Sequence, residues 1–89
     1  MSQSSLPDLA SVEQQIITAV GERILELPPE FDATSDLYAA GLDSMATMQL
    51  LLLLEETFGV SLPDSEVSCA NFQNVRQLAL LVRDRLAAA

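Results

Sequence analysis

Ser44 is the hydroxyl in this chain best placed for chemistry. It follows Gly41-Leu42-Asp43, where a loop gives way to an apolar helical run. A serine at such a junction commonly serves as an N-cap or first-turn residue. The free N–H groups of a helix N-terminus also favour a phosphate ester, so a phosphate diester on Ser44 would sit in a favourable field. Asp43 beside it suits helix capping. Cys69 is the second candidate nucleophile, but the chain has no histidine, the commonest general base. A Gly-x-Ser-x-Gly nucleophile elbow is missing too, because Gly41 stands three residues before Ser44 and Ala46 two after it. A serine or cysteine hydrolase is therefore excluded. Cys69 is expected to be a small, half-buried hydrophobe.

The elements around Ser44 must be helical. The chain has 89 residues, is 49% hydrophobic and only 4% aromatic, and Leu and Ala dominate it. Residues 1–10 read as a flexible lead-in and residues 11–89 as one domain. Ser11 followed by Gln14 has capping-box spacing, and Glu13 suits the positive end of a helix starting there. Val12, Ile16, Ala19, Val20, Ile24 and Leu27 recur at three- and four-residue steps as one apolar face. Pro28-Pro29 should stop this helix. Residues 28–43 form a long loop with Phe31, Leu37 and Leu42 as its anchors, and a loop of this length in so small a domain is usually functional. A second helix runs from Ser44 to Phe58 and stops at Gly59. A short helix or turn around residues 65–67 precedes a last helix capped by Asn74. Val75, Leu78, Leu81, Val82 and Leu86 form the core face of that helix, with Arg76, Arg83 and Arg85 outward. The expected fold is all-α: a small four-helix bundle, three helices longer and one short, with a long loop between the first two.

Charge narrows the partners. With 13 acids against 4 arginines and no lysine, the net charge is −9. Nucleic-acid backbones require clustered positive charge, so they are excluded as partners, and basic partner surfaces are favoured. No metal site is expected. One cysteine cannot form an internal disulfide, which fits a reducing compartment. No signal peptide is visible and the longest apolar run, residues 50–54, is too short for a membrane span; a cytoplasmic location is the expectation.

The second helix carries more apolar surface than one core face needs. Eight of the ten residues from Met45 to Leu54 are apolar, against three or four per two turns in an ordinary amphipathic helix. Leu50, Leu51, Leu54 and Phe58 can serve the core. Met45, Met48 and Leu52 remain, flanked by Gln49, Glu55 and Glu56. On pattern alone this helix is either the most buried of the bundle or a methionine-rich docking surface.

The stretch Asp36-Leu37-Tyr38-Ala39-Ala40-Gly41-Leu42-Asp43-Ser44-Met45 resembles the attachment motif of acyl carrier proteins. The resemblance extends over residues 12–86 and includes Phe58-Gly59-Val60-Ser61-Leu62-Pro63. It implies that Ser44 receives 4′-phosphopantetheine from coenzyme A through a separate phosphopantetheinyl transferase, with Asp43 positioning Mg²⁺ or the serine. The domain would then present a carboxylic acid as a thioester rather than catalyse. Residues 43–52, Phe58-Gly59-Val60 and Ser65-Glu66-Val67 are similar to stand-alone D-alanine carriers and to carriers served by seryl-tRNA-synthetase-like amino acid ligases. Fatty-acid carriers usually have several acids in the first half of this helix, whereas Gln49 is the only strongly polar side chain between Ser44 and Glu55. The implied partners are the transferase, an amino acid or acyl ligase and a downstream acyl acceptor enzyme, docking on Met45, Met48, Gln49 and Leu52 with steering from Glu55 and Glu56. A monomer is the family default. Fatty-acid or polyketide cargo, and an unmodified helical interaction module, are the alternatives.

Overall fold

The computed structural model describes residues 7–88. It consists of three α-helices, α1 (Leu9–Arg23), α2 (Ser44–Phe58) and α3 (Val75–Ala88), with no strand among the described residues. The expected short fourth helix is a single 3-10 turn, Asp64–Glu66. Pro63 precedes it, and the chain then turns again to bring Phe72 fully into the core. A three-residue segment closes too few hydrogen bonds to propagate as an α-helix.

α1 starts two residues before the expected Ser11. Asp8 is the cap: its side chain accepts from the Ser11 N–H at 2.8 Å, and its carbonyl from Val12 at 3.1 Å. Aspartate is as strong a cap as serine, and here it comes first. Ser11 moves inside the helix, where its hydroxyl accepts from the Gln15 amide at 3.3 Å. Of the lead-in, residues 1–6 lie outside the described residues, while Leu9 and Ala10 belong to α1.

α1 also ends before the expected proline stop. The N–H groups of Ile24 and Leu25 both donate to the Val20 carbonyl at 2.9 Å, and the chain leaves the helix there. Ile24, Leu25 and Leu27 remain against the core from outside the helix, and Leu25 lies over Gly41, whose positive φ of 118° suits glycine.

The long loop is tied to the start of α3. Arg76 lies in the first turn of α3, where backbone N–H groups lack helical acceptors. Its N–H donates to the Ala33 carbonyl at 2.9 Å, and the Leu37 N–H donates to the Gln73 carbonyl at 2.8 Å. Asn74 caps α3 as expected, accepting from the Gln77 N–H at 2.9 Å. Leu37 and Leu42 are buried, and Phe31 packs beside them. Asp32 tightens the outer turn by accepting from the Thr34 N–H, the Thr34 hydroxyl and the Ser35 hydroxyl. Those bonds, the Thr34 hydroxyl foremost, hold its carboxyl below the ordinary 3.8.

Three charged residues differ from expectation. Glu13 is not a solvent-facing partner of the helix dipole. It is buried in α1 and accepts from Arg76 Nε at 2.8 Å, across 63 positions of sequence. Arg76 therefore faces α1 instead of pointing outward. Such a pair fixes relative orientation more than it adds net stability. Arg83 is half-buried, and its Nε is enclosed without a partner among the described residues.

Leu37→Ala should cost about 3 kcal/mol of stability by urea denaturation, the ordinary loss for a fully buried leucine, while Leu52→Ala should change it by less than about 0.5 kcal/mol. Since the folded Asp32 carboxyl lies below its unfolded value, its contribution is complete above 3.8 and is lost as pH falls further; an NMR titration should place its midpoint under 3.8.

Candidate functional site

Asp43 and Ser44 divide two roles that sequence position left together. Asp43 is the N-cap of α2. Its Oδ1 accepts from the Ala46 N–H at 2.8 Å, and its carbonyl accepts from both the N–H and the hydroxyl of Thr47 at 2.8 Å. Ser44 is the first helical residue, is exposed, and its hydroxyl bonds to no described residue. The N–H groups of Ser44 and Met45 likewise donate to no described residue, as expected for the first turn of a helix. An exposed oxygen thus stands at the positive end of a fifteen-residue helix.

The site is held from below. The N–H of Leu42 returns to the Leu37 carbonyl at 3.0 Å, and Gly41 to Tyr38 at 3.1 Å. Asp36 Oδ1 accepts from the N–H groups of Tyr38 at 2.9 Å and Ala39 at 3.4 Å. This tight turn, with Leu37 and Leu42 buried beneath it, sets where α2 begins.

Beside Ser44 an open groove of about 540 Å³ passes between the start of α2 and residues 67–69. Asp43, Thr47 and Met48 line one side; Tyr38, Val67 and Cys69 line the other. Cys69 is exposed, not half-buried as expected, because it lies on the surface turn between the 3-10 turn and α3. Burial, then the Cys69 thiol and the Asp36 carboxylate, push the Tyr38 phenol up from 10.0. Tyr38, Val67 and Cys69 as groove residues were not legible in the sequence. Their side chains converge across about thirty positions of chain, and no short-range pattern encodes that.

α2 resolves the ambiguity about its apolar excess. Ala46, Leu50, Leu51, Leu53 and Leu54 are buried. Met45, Met48 and Leu52 are 72%, 53% and 56% exposed. Gln49 and Glu56 are exposed beside them, so these five residues line one open face. Glu55 is different. It is half-buried, and its Oε2 accepts from the Leu62 N–H at 2.8 Å. Its carboxylate braces the chain after α2, which Gly59 turns with a left-handed φ of 67°. No helix of the described residues is long and apolar enough to cross a membrane.

Comparison with known proteins supplies a context for this geometry. The family model described as "Phosphopantetheine attachment site" matches residues 14–82. An aminoacyl carrier protein of Agrobacterium fabrum is 38% identical over 56 residues, 60% of this chain and 68% of that protein. The anthracycline acyl carrier protein DauA of a Streptomyces species is 32% identical over 90 aligned positions, covering 100% of this chain and 99% of the relative. Among solved structures, a carrier protein from Agrobacterium tumefaciens, complexed with ATP and an engineered Bradyrhizobium japonicum glycine:[carrier protein] ligase, superposes with a TM-score of 0.65. It is 28% identical, and the match covers 92% of this chain and 100% of that one.

Asp43→Ala should cost about 1 kcal/mol of stability through the lost cap, and Asp43→Asn much less. Ser44→Ala should stay within about 0.5 kcal/mol of wild type, because its hydroxyl supports nothing. Thermal unfolding of the three variants checks this division of roles.

Proposed function

The chain belongs to the phosphopantetheine attachment-site family, and from that premise we propose that Ser44 Oγ is the attachment atom and that the cargo is an amino acid. Members of this family are carriers, not catalysts, and bear covalently attached 4′-phosphopantetheine. The observation that carries Ser44 is its free, exposed hydroxyl at the start of α2, with the capping done by Asp43 instead. A phosphate diester fits there. It would meet the unbonded N–H groups of the first helical turn, and the groove beside it leaves room for a flexible arm. When attached, the arm supplies a thiol that holds the carried acid as a thioester.

This chain's own part is to fix the attachment oxygen and to offer a surface. Tethering raises the effective concentration of cargo at each partner. Met45, Met48, Gln49 and Leu52 form the docking face, with Glu56 steering basic partners at its far end. Glu55 is a brace for the following chain, so its share of steering is smaller. Asp43 is placed to help orient the serine or a Mg²⁺ held by the phosphopantetheinyl transferase. The further partners are an amino acid ligase, of the seryl-tRNA-synthetase-like kind, and a downstream acceptor enzyme.

Two observations favour amino acid cargo. The first half of α2 is free of acids, and a relative of this chain is a carrier solved with a glycine ligase. The bundle interior is occupied by Leu50, Leu51, Leu53 and Leu54, which leaves long acyl chains poorly served. The second reading, an acyl carrier for polyketide-type cargo, is favoured by the full-length match to the anthracycline carrier.

Incubation with coenzyme A, Mg²⁺ and a broad-specificity transferase should add one phosphopantetheine by intact mass to wild type and none to Ser44→Ala. Equal addition to both would overturn the assignment of Ser44. The holo protein should then be charged by amino acid ligases with ATP; charging only by fatty-acyl or polyketide enzymes would establish the second reading. Met48→Asp should lower the charging rate at least tenfold and Glu56→Gln about twofold, in line with the small value of one exposed charge.

A further inference from the structure

The exposed strip of α2 does not stay on one helix. At Leu52 it meets an open hollow of about 260 Å³ whose walls come from two elements. Arg23 and Ile24, at the end of α1, form one wall; Gln49, Leu52, Leu53 and Glu56 of α2 form the other. Ile24, Leu52 and Leu53 give it an apolar lining. Arg23 and Glu56 are both exposed, and neither forms an ion pair with a described residue; the ion pair found is Arg76–Glu13. The hollow is thus bordered by a cation on one side and an anion on the other. We propose that it is a specificity pocket for the amino acid ligase, which fills it with an apolar side chain flanked by a carboxylate facing Arg23 and a basic group facing Glu56. The inference rests on the ligase and docking face of the proposed function, and adds the end of α1 to that face.

Size and charge support this occupant. The hollow is smaller than the roughly 300 Å³ at which small-molecule pockets begin, so a protruding side chain suits it better than a free ligand. An apolar anchor beside an arginine is the usual make-up of an interface hot spot, and a guanidinium can grip a carboxylate through two parallel hydrogen bonds. The net charge of −9 attracts basic surfaces in general and cannot tell one from another. Arg23 makes the opposite demand at one point: a partner without a facing carboxylate leaves like charges together or a cation unmatched. Of the other arginines, Arg76 is tied to Glu13, and Arg83 and Arg85 belong to α3. The cargo is chosen when the thioester is made, so the ligase is the partner for which such discrimination matters. A second copy of this chain could pair Arg23 with Glu56 in both directions, but two chains of charge −9 repel each other.

The test charges the full-length holo protein with glycine and ATP, using the Bradyrhizobium japonicum glycine:[carrier protein] ligase as the probe and intact mass as the readout. Arg23→Glu should raise the KM for the carrier about fivefold and leave kcat within about twofold, because lost docking appears in KM. Arg23→Gln, the milder change, should raise it about twofold, the ordinary size for one exposed charge. The double variant Arg23→Glu/Glu56→Arg keeps the wild-type net charge and exchanges the two signs. It should charge no better than Arg23→Glu; wild-type charging by this variant would show that net charge alone matters and overturn the pocket. Attachment by the transferase should change by less than about twofold in all three, since one rim charge contributes little. Equal slowing of transferase and ligase, or a wild type that the ligase does not charge, would overturn the ligase as occupant. Sedimentation should give a monomer; a dimer lost in Arg23→Glu and regained in the double variant would give the hollow to a second copy. Failure of attachment on wild type, or its survival in Ser44→Ala, is the separate failure of the Ser44 assignment.

Discussion

The position of Ser44 depends on how residues 28–43 are tied to the start of α3. A helix leaves its first N–H groups without internal acceptors, and a long loop leaves its own backbone groups in the same state. Here each supplies the other: the Arg76 N–H meets the Ala33 carbonyl, and the Leu37 N–H meets the Gln73 carbonyl. Leu37 and Leu42 then enter the core as if they belonged to a helix. A segment with little regular structure is thereby tied to the core by backbone bonds and buried leucines. Its last residue, Asp43, starts α2 at one defined place, and the Ser44 hydroxyl follows at once.

The same economy governs α2. A domain of this size has a thin core, and one face of one helix fills much of it. Leu50, Leu51, Leu53 and Leu54 point inward, so Met45, Met48 and Leu52 have nowhere to go but outward. Flexible thioether side chains on such a surface can adapt to different partners. The acids lie elsewhere, on the long loop and toward the far end of α2. The surface next to Ser44 is therefore apolar at its centre and negative at its margins, an arrangement suited to weak, steered contacts.

Local signals were legible wherever a residue acts on its own neighbours. Gly59 ends α2 because a left-handed residue is needed there, and Asn74 opens α3 because it can reach Gln77 three positions on. Helical spacing showed the apolar excess of α2 but left open whether Met45, Met48 and Leu52 were buried or a surface; the structure exposes them and adds Leu53 to the core. Mistakes arose where a longer-range partner decided. Glu13 looked like a helix-terminal charge and is instead the buried partner of Arg76. Glu55 looked like a steering charge and is a brace for Leu62. The stop of α1 looked like the work of Pro28-Pro29, yet the helix ends at Arg23, and Leu25 packs over Gly41 from outside it.

By itself, the sequence determined the helical class, the junction at Asp43-Ser44, the apolar excess of the second helix and the exclusion of hydrolytic chemistry. These follow from spacing, capping and residue type, which act over one or two turns. Asp43 takes the cap through Ala46, three residues on, and only the tertiary structure decided what surrounds Ser44. It alone set Arg76 to tie α1, the loop and α3 together, and brought Tyr38, Val67 and Cys69 to the groove beside Ser44. Those outcomes depend on contacts between residues tens of positions apart, and their geometry exists only after the core has closed.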